Sequence, residues 1–475
     1  MTSTPEAANA PRLSRGAVTR YAFGSLGTGG FATLPGLVLV YYLTDSLGVA
    51  AIVAGLIVTG AKVWDVLIDP VIGGLSDRAL ALRGTRRGPM LLGAIGLPLA
   101  FTLTFAVPEG LPAWASGLWV LIAFIAAATF FSLFQVPYIA LPAELTDSYQ
   151  ERTRLLTWRV VVLTLAILLF GAGGPEIRGL FPENPELGYL VMAVVASLLL
   201  GIALWVSSAV APQFSPVTTA AIPRRRALSL SHYRESLTVL RESQPFRALL
   251  ATFMLQALAT GLMLAGAQFV AAWVLRDEGA VTPLFIALIA PALLIAPVWQ
   301  KAADRVGKER GYRIASTVFL LAALALVAMV WLPGWWVLAP LGIAGAAYAG
   351  MQTLPMAMLP DVIARDTGER SGAGIDAASG EGRAGVFGGV WTAGETAGMA
   401  FGSTLLTIVL AVTGYIESTA RVTVEQPESA VAGIALSFSL APAVLMALSL
   451  VTLARYRLRE SDFERPAAPD HPVEA

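Results

Sequence analysis

Three charged residues stand inside one apolar stretch: Lys62, Asp65 and Asp69. Their spacing is i, i+3 and i+7, which puts all three on one face of a helix. A charge at bilayer depth costs on the order of 2.5–3.5 kcal/mol, so such residues face a protein interior or a wet cavity. Two carboxylates one turn apart repel each other. A bound cation or a proton relieves the repulsion, and Lys62 can stand in when neither is there. A face whose charge depends on a small ion suits ion coupling; a structural cluster that ties this helix to its neighbours is the plainer reading. Pro70 removes the backbone N–H beside Asp69. That either frees a carbonyl to ligand a cation or only kinks the helix.

A second intramembrane acid, Glu395, lies far along the chain. A lone carboxylate deep in a span is a functional candidate by default. It can pair with Lys62, carry a proton or hold a cationic group of a solute. Trp391, one turn earlier, either stacks on a sugar ring or faces lipid. Other chemistry is excluded. The chain has no cysteine, and His232 and His471 both stand in polar stretches, so no thiolate site, His-built metal site or Cys nucleophile is expected. Asp65-x-x-x-Asp69 superficially resembles an acid motif that holds magnesium diphosphate. Such enzymes need a second motif on another helix, and none lies at membrane depth. The expectation is no enzyme, no cofactor, and no metal other than sodium at Asp65 and Asp69.

The elements that must position these residues are membrane helices. Of the 475 residues, 56% are hydrophobic and only 13% charged, about half the charge of a soluble domain. Mean hydropathy is +0.69. A soluble fold cannot hide that much apolar surface. A bilayer needs about 20 apolar residues per helix, and twelve stretches qualify: 20–44, 49–77, 88–107, 115–141, 155–173, 187–210, 246–274, 281–300, 312–332, 335–360, 384–413 and 430–455. With both termini in the cytoplasm, 28 of the 32 Lys and Arg fall on that side. Arg178, Arg276 and Arg421 fall outside, and Lys62 lies within a span. The zero net charge gives no sign of nucleic-acid binding.

The division expected is a cytoplasmic segment 1–19, a six-helix bundle 20–210, a cytoplasmic linker 211–245, a second six-helix bundle 246–455 and a tail 456–475. The halves repeat. Pro137, Leu141, Pro142, Glu151 and Arg152 reappear at one constant offset as Pro355, Leu359, Pro360, Glu369 and Arg370. Asp77-Arg78 after the second span returns as Asp304-Arg305 after the eighth. Matched loops at matched places mark a duplicated six-helix unit.

The loops carry a resemblance. Gly73-Gly74-Leu75-Ser76-Asp77-Arg78 followed by Arg86-Arg87, and the second copy Ala303-Asp304-Arg305-Val306-Gly307-Lys308, resemble the signature of the major facilitator superfamily. A narrower resemblance rests on Tyr21-Ala22-Phe23-Gly24-Ser25-Leu26-Gly27, Tyr41-Tyr42-Leu43-Thr44-Asp45, Lys62-Val63-Trp64-Asp65-Val66-Leu67-Ile68-Asp69-Pro70, Val136-Pro137-Tyr138 and Leu141-Pro142. Together they look like the glycoside–pentoside–hexuronide:cation symporters. The Trp-Asp-x-x-x-Asp-Pro run is the specific part. The second half is matched mainly by loops and topology.

The resemblance implies an all-α membrane protein with twelve helices in two bundles. It also implies a cation-coupled transporter working by alternating access on a sugar or glycoside. Asp65 and Asp69 take the positions that bind the coupling cation, with Lys62 beside them and Ser132 at a hydroxyl-ligand position. Sodium users often carry Asn before the second acid. Ile68 stands there, so the ion is open between proton and sodium. On the solute side the family's acids fall near Gly29 and at Gln135, and an aromatic position is Ile139. Gln135 can still donate and accept hydrogen bonds. Arg159 matches the family's basic residue and suits a carboxylate or sugar hydroxyls; as a plain reading it snorkels. Glu395 stands within about one position of a family Lys.

The gate residues expected are Asp77, Arg78, Asp304 and Arg305. Glu144, Asp147 and Asp361 are expected to pair with Arg152, Arg154, Arg365 and Arg370. The lost acids leave room for another cargo, such as a lysophospholipid. A sensor built on the transporter fold is the alternative from a different class. A monomer in the cell membrane, holding a small solute and lipid as its partners, completes the expectation.

Overall fold

The computed structural model describes residues 12–146, 148–213, 238–372, 380–419 and 424–456, with backbone alone at 149, 367–372 and 380–385. Among them twelve helices are long and apolar enough to cross a membrane. The first six are α1 (Arg15–Ser46), α2 (Ala51–Arg83), α3 (Arg87–Phe105), α4 (Ala113–Leu145), α5 (Gln150–Gly179) and α6 (Pro185–Ser208). The second six are α7 (Gln244–Val274), α8 (Glu278–Val306), α9 (Lys308–Val330), α10 (Trp335–Asp366), α11 (Val386–Val412) and α12 (Glu428–Leu453). Asp147, the Arg224–Arg226 run with most of 211–245, the Arg370 side chain, residues 1–11 and residues 457–475 lie outside the described residues.

Several helices overrun the apolar stretches that define them. At 1.5 Å per residue a 33-residue helix is about 50 Å long, well beyond a hydrocarbon core of about 30 Å. The Gly73–Arg78 signature is therefore the polar end of α2, not a loop. The helix stops where Gly84 turns to a positive φ of 70°. Asp304 and Arg305 likewise sit in the last turn of α8, before Gly307 at φ 88°. A positive φ is the conformation only glycine takes at little cost, so both helices end where the sequence permits.

The two bundles pack by the same scheme. In the first, α1 lies against α5 and α6, α3 against α4 and α6, and α2 against α4. In the second, α7 lies against α11 and α12, α9 against α10 and α12, and α8 against α10. Even a local irregularity is shared: α1 closes in a π-turn at Tyr42–Ser46 and α7 in one at Val270–Val274.

Between bundles, α2 meets α11, α5 meets α8 and α1 meets α7. The α2–α11 seam carries a polar stitch in which the Thr59 hydroxyl donates to the Ala400 carbonyl at 3.2 Å and pairs with the Thr404 hydroxyl. One turn away, the Thr407 hydroxyl occupies the place of a side chain at Gly55. Gly55→Leu should therefore destabilise the protein by about 1–3 kcal/mol, the usual cost of overpacking. The check is the unfolding midpoint of the detergent-solubilised chain. Gly60, which has open space around it, serves as the control. A midpoint no lower for Gly55→Leu than for Gly60→Leu would refute the close seam.

Candidate functional site

The charged face of α2 turns toward α4. The Ser132 hydroxyl, 1% exposed, donates to Asp65 Oδ1 at 2.7 Å. Asp69, one turn on, interacts electrostatically with the same hydroxyl, with Asp65 and with Lys62. Asp65, Asp69 and Ser132 thus converge on one partly buried spot, where carboxylate and hydroxyl oxygens can surround a small cation or share a proton.

Lys62 behaves differently from expectation. Among the described residues it makes no ion pair; its ammonium lies 5.9 Å from the centre of the Phe31 ring on α1. Helical side chains lean toward the helix N-terminus, which carries Lys62 away from Asp65 and over an aromatic face that attracts a cation. Of the three roles open to Glu395, pairing with Lys62 is not made in this conformation.

Arg159 of α5 stands with its guanidinium carbon 5.4 Å from the centre of the Tyr138 ring. Tyr138 is itself fixed. It stacks on Tyr21 at 4.7 Å, donates to the Tyr21 carbonyl at 2.8 Å and shares a hydrogen bond with Ser25 at 2.9 Å. The Arg is thus held over an aromatic pair within the bundle. Gln135 lies on the same helix as Tyr138, and its Oε1 is buried without a hydrogen-bond partner among the described residues. Gly29 cannot have carried a solute-binding acid in this packing. A Cβ there would stand 2.9 Å from the Ala166 Cβ and 3.0 Å from the Leu163 carbonyl oxygen, so α1 and α5 approach too closely for a side chain.

In the second bundle, Glu395 of α11 lies within electrostatic reach of Tyr348 on α10, whose hydroxyl accepts from Gln352 at 2.6 Å. Trp391 is 1% exposed and stacks on Phe253 at 4.4 Å. In this conformation it has no free face for a sugar ring and does not face lipid, because aromatic stacking has already buried it. Its indole N–H is left without a partner among the described residues.

The Asp near the end of α2 meets a basic residue of the neighbouring loop, as its signature implies, but Glu144 and Asp361 take other partners than expected. Arg86, between α2 and α3, pairs with Asp77 at 2.6 Å and Glu144 at 2.5 Å and donates to Ser76 at 2.8 Å. Glu144 therefore takes Arg86, not Arg152 or Arg154. Arg152 turns to the Thr146 carbonyl and Arg154 to Glu151, each a short reach along its own strand of chain. Asp361 pairs with Lys308 at 2.7 Å rather than with Arg365. Arg78, Asp304 and Arg305 are exposed. Burial disfavours the Arg86 cation, but the Glu144 and Asp77 carboxylates outweigh it and hold the pKa above its ordinary value. All these ion pairs stay within one bundle, at what we term the basic end.

Hydrogen bonds between the bundles gather at the opposite end. Tyr415 donates to Asp45 Oδ1 at 2.5 Å, and the Ser418 N–H to the Thr44 carbonyl at 3.0 Å. The Ala51 N–H donates to Glu417 at 2.8 Å, and Arg178 pairs with Glu278 at 2.9 Å. Burial, then the charge of Asp45, pushes the Tyr415 phenol well above its usual pKa, so Tyr415 stays protonated and can donate. Sequence reasoning missed this seal. Its partners lie far apart along the chain, and no local spacing announces them. The one available signal was a polar group at each of two helix ends, Asp45 and Glu278.

A family model described as MFS/sugar transport protein matches residues 20–460. The chain belongs to the MFS/sugar transport protein family. Like other members it is a multi-pass membrane transporter of small molecules and not an enzyme. It is 25% identical to the glucuronide carrier protein homolog of Escherichia coli, over 95% of this chain and 94% of that one. It is 32% identical to a putative sulfoquinovose importer of Salmonella typhimurium, but over only 39% of each chain. Among solved structures, a D-xylose-proton symporter superposes with a TM-score of 0.63 at 14% identity, over 93% of this chain and 97% of that one. That likeness shows the fold alone.

Proposed function

We propose that this family member couples the movement of a cation to that of a sugar, glycoside or related small solute, by alternating access. The observation that carries it is the Ser132–Asp65 hydrogen bond with Asp69 beside it. Three oxygen-bearing side chains meet on the buried side of two helices in the first bundle, where an unused charge is costly. The coupling ion is a proton or sodium. Gln135 and Arg159 bind the solute from the first bundle, and Glu395 faces it from the second. The protein works as a monomer in the cell membrane with both termini cytoplasmic. The basic end is then the inner side, and the sealed end faces out. Glucuronide and sulfoquinovose, named for two relatives, suit an arginine at the solute site.

The test is reconstitution into vesicles with a pH-sensitive dye inside. Glycosides, uronates and lysophospholipids are added with and without sodium. Internal acidification triggered by a glycoside or uronate without sodium is the result expected for proton symport. Sodium-stimulated uptake with no dye response assigns sodium. Movement of lysophospholipids alone would replace the sugar reading, and movement of nothing under either gradient would favour a sensor.

A further inference from the structure

We propose that Arg178 is an anion-binding site for the solute, covered in this conformation by Glu278 and uncovered when the bundles part at the sealed end. The proposal rests on the transport reading above and narrows it to solutes bearing a carboxylate or sulfonate.

The cradle of Arg178 is built entirely by the first bundle. The side chain is 7% exposed. Its guanidinium carbon lies 5.9 Å from the ring centre of Tyr41 on α1 and 5.4 Å from that of Tyr189 on α6. One terminal nitrogen donates to the Tyr189 hydroxyl at 3.1 Å. These contacts do not depend on the second bundle, so the guanidinium stays oriented when the bundles move.

Its carboxylate partner comes from the other bundle. Glu278 opens α8, and its side chain is 60% exposed. One carboxylate oxygen accepts from Arg178 at 2.9 Å and the other from the Tyr41 hydroxyl at 3.4 Å. Glu278 thus presents both oxygens to an Arg–Tyr pair, as the carboxylate or sulfonate of a solute would. When α8 moves away from α5, Glu278 leaves with it. A buried guanidinium stripped of its counter-charge is unfavourable. An anion that takes the place of Glu278 removes that penalty and favours the parted state. The surroundings make the exchange selective. Asp277 and Glu417 add negative charge at this end, and Arg276 is exposed. Among the described residues at this end, Arg178 is the buried cation, and the acids beside it disfavour an anion elsewhere.

The experiment uses the full chain in vesicles and two solutes that differ only in charge, a phenyl glucuronide and the matching phenyl glucoside. Arg178→Gln should raise KM for the glucuronide about tenfold or more, as expected for loss of a charge-assisted contact, with the glucoside little changed. Glu278→Gln removes the competitor and should lower KM for the glucuronide alone. Equal changes for both solutes in the two variants, or no change in either, would overturn the proposal and leave a latch between bundles. If Arg178→Gln fails to reach the membrane, Glu278→Gln decides.

A second readout separates this idea from the transport reading. The chain has no cysteine, so Ser418→Cys gives a single reporter in the seal. Phenyl glucuronide should speed its labelling by an impermeant maleimide, and should not in the Arg178→Gln background. Labelling speeded equally by inorganic phosphate would mean a general anion site and would overturn the solute assignment. Absence of uptake with glucuronide-specific labelling intact would sink the transport reading and keep the site.

Discussion

Asp65→Asn and Asp69→Asn should each abolish accumulation of solute against its gradient. The amide keeps the shape of the carboxylate but carries no charge and takes up no proton. It therefore cannot gain or lose the ion whose downhill movement drives the cycle. Losing a hydrogen bond to a charged group costs about 1.5–3 kcal/mol. The amide oxygen of Asn can still accept from Ser132, but as a neutral and weaker partner, so the lost charge rather than the lost contact should lower cation affinity, by roughly tenfold or more. Exchange of solute across a membrane without a gradient should survive, because it needs no ion movement. The measurement is uptake under an imposed gradient beside equilibrium exchange in the same vesicles. Accumulation that persists in Asp65→Asn would remove this residue from the coupling site. Loss of exchange together with accumulation would point to a structural role for the acid.

Arg86→Gln should lower the amount of folded protein in the membrane more than any single change at the solute site. One guanidinium serves two carboxylates, Asp77 and Glu144, and the side chains of Arg86 and Glu144 are 10% and 11% exposed. Removing one partner of a buried ionic cluster costs about 3–5 kcal/mol, since the remaining charges are left uncompensated. Both Asp77 and Glu144 would then stand close together without a cation. Glu144 Oε2 already has no partner among the described residues, so it has nothing to fall back on. The double change Arg86→Gln with Glu144→Gln should recover part of the loss. Membrane content measured by immunoblot, and the melting midpoint of the solubilised protein, both report it. Wild-type levels in Arg86→Gln would show that the cluster contributes little to the fold.

These residues also mark what a sequence can and cannot disclose. The α2 face was legible because helical periodicity is local: Lys62, Asp65 and Asp69 share a face whatever surrounds them. The helices were legible because a bilayer demands long apolar runs. Direction was not. Lys62 leans toward Phe31 because helical side chains point backward along the axis, and spacing alone is silent on which neighbour lies there. Trp391 looked like a solute platform, but Phe253 had already taken its face. Arg152 and Arg154 are near Glu144 in sequence, whereas Arg86, across a helical hairpin, meets it in space. Gly29 stood where an acid was sought. Its meaning is the close approach of α5, a fact of packing that no pattern along α1 contains. The pairs across the seal, such as Arg178 with Glu278, join the two bundles. They depend on the conformation as well as on the fold.

The matching π-turns that close α1 and α7 bear on the protein's history. A π-turn holds one more residue than the helix around it needs. Tyr42–Ser46 and Val270–Val274 share no residue at equivalent positions, yet they occupy equivalent ends of equivalent helices. They stand almost the same number of residues apart as Asp77 and Asp304. Two separate insertions at the same place would be a coincidence; one insertion in a six-helix ancestor, copied when that gene doubled, requires a single event. The side chains of these two turns share nothing, so at this place the duplication shows in the backbone, beside the residues that repeat elsewhere, such as Asp77-Arg78 and Asp304-Arg305.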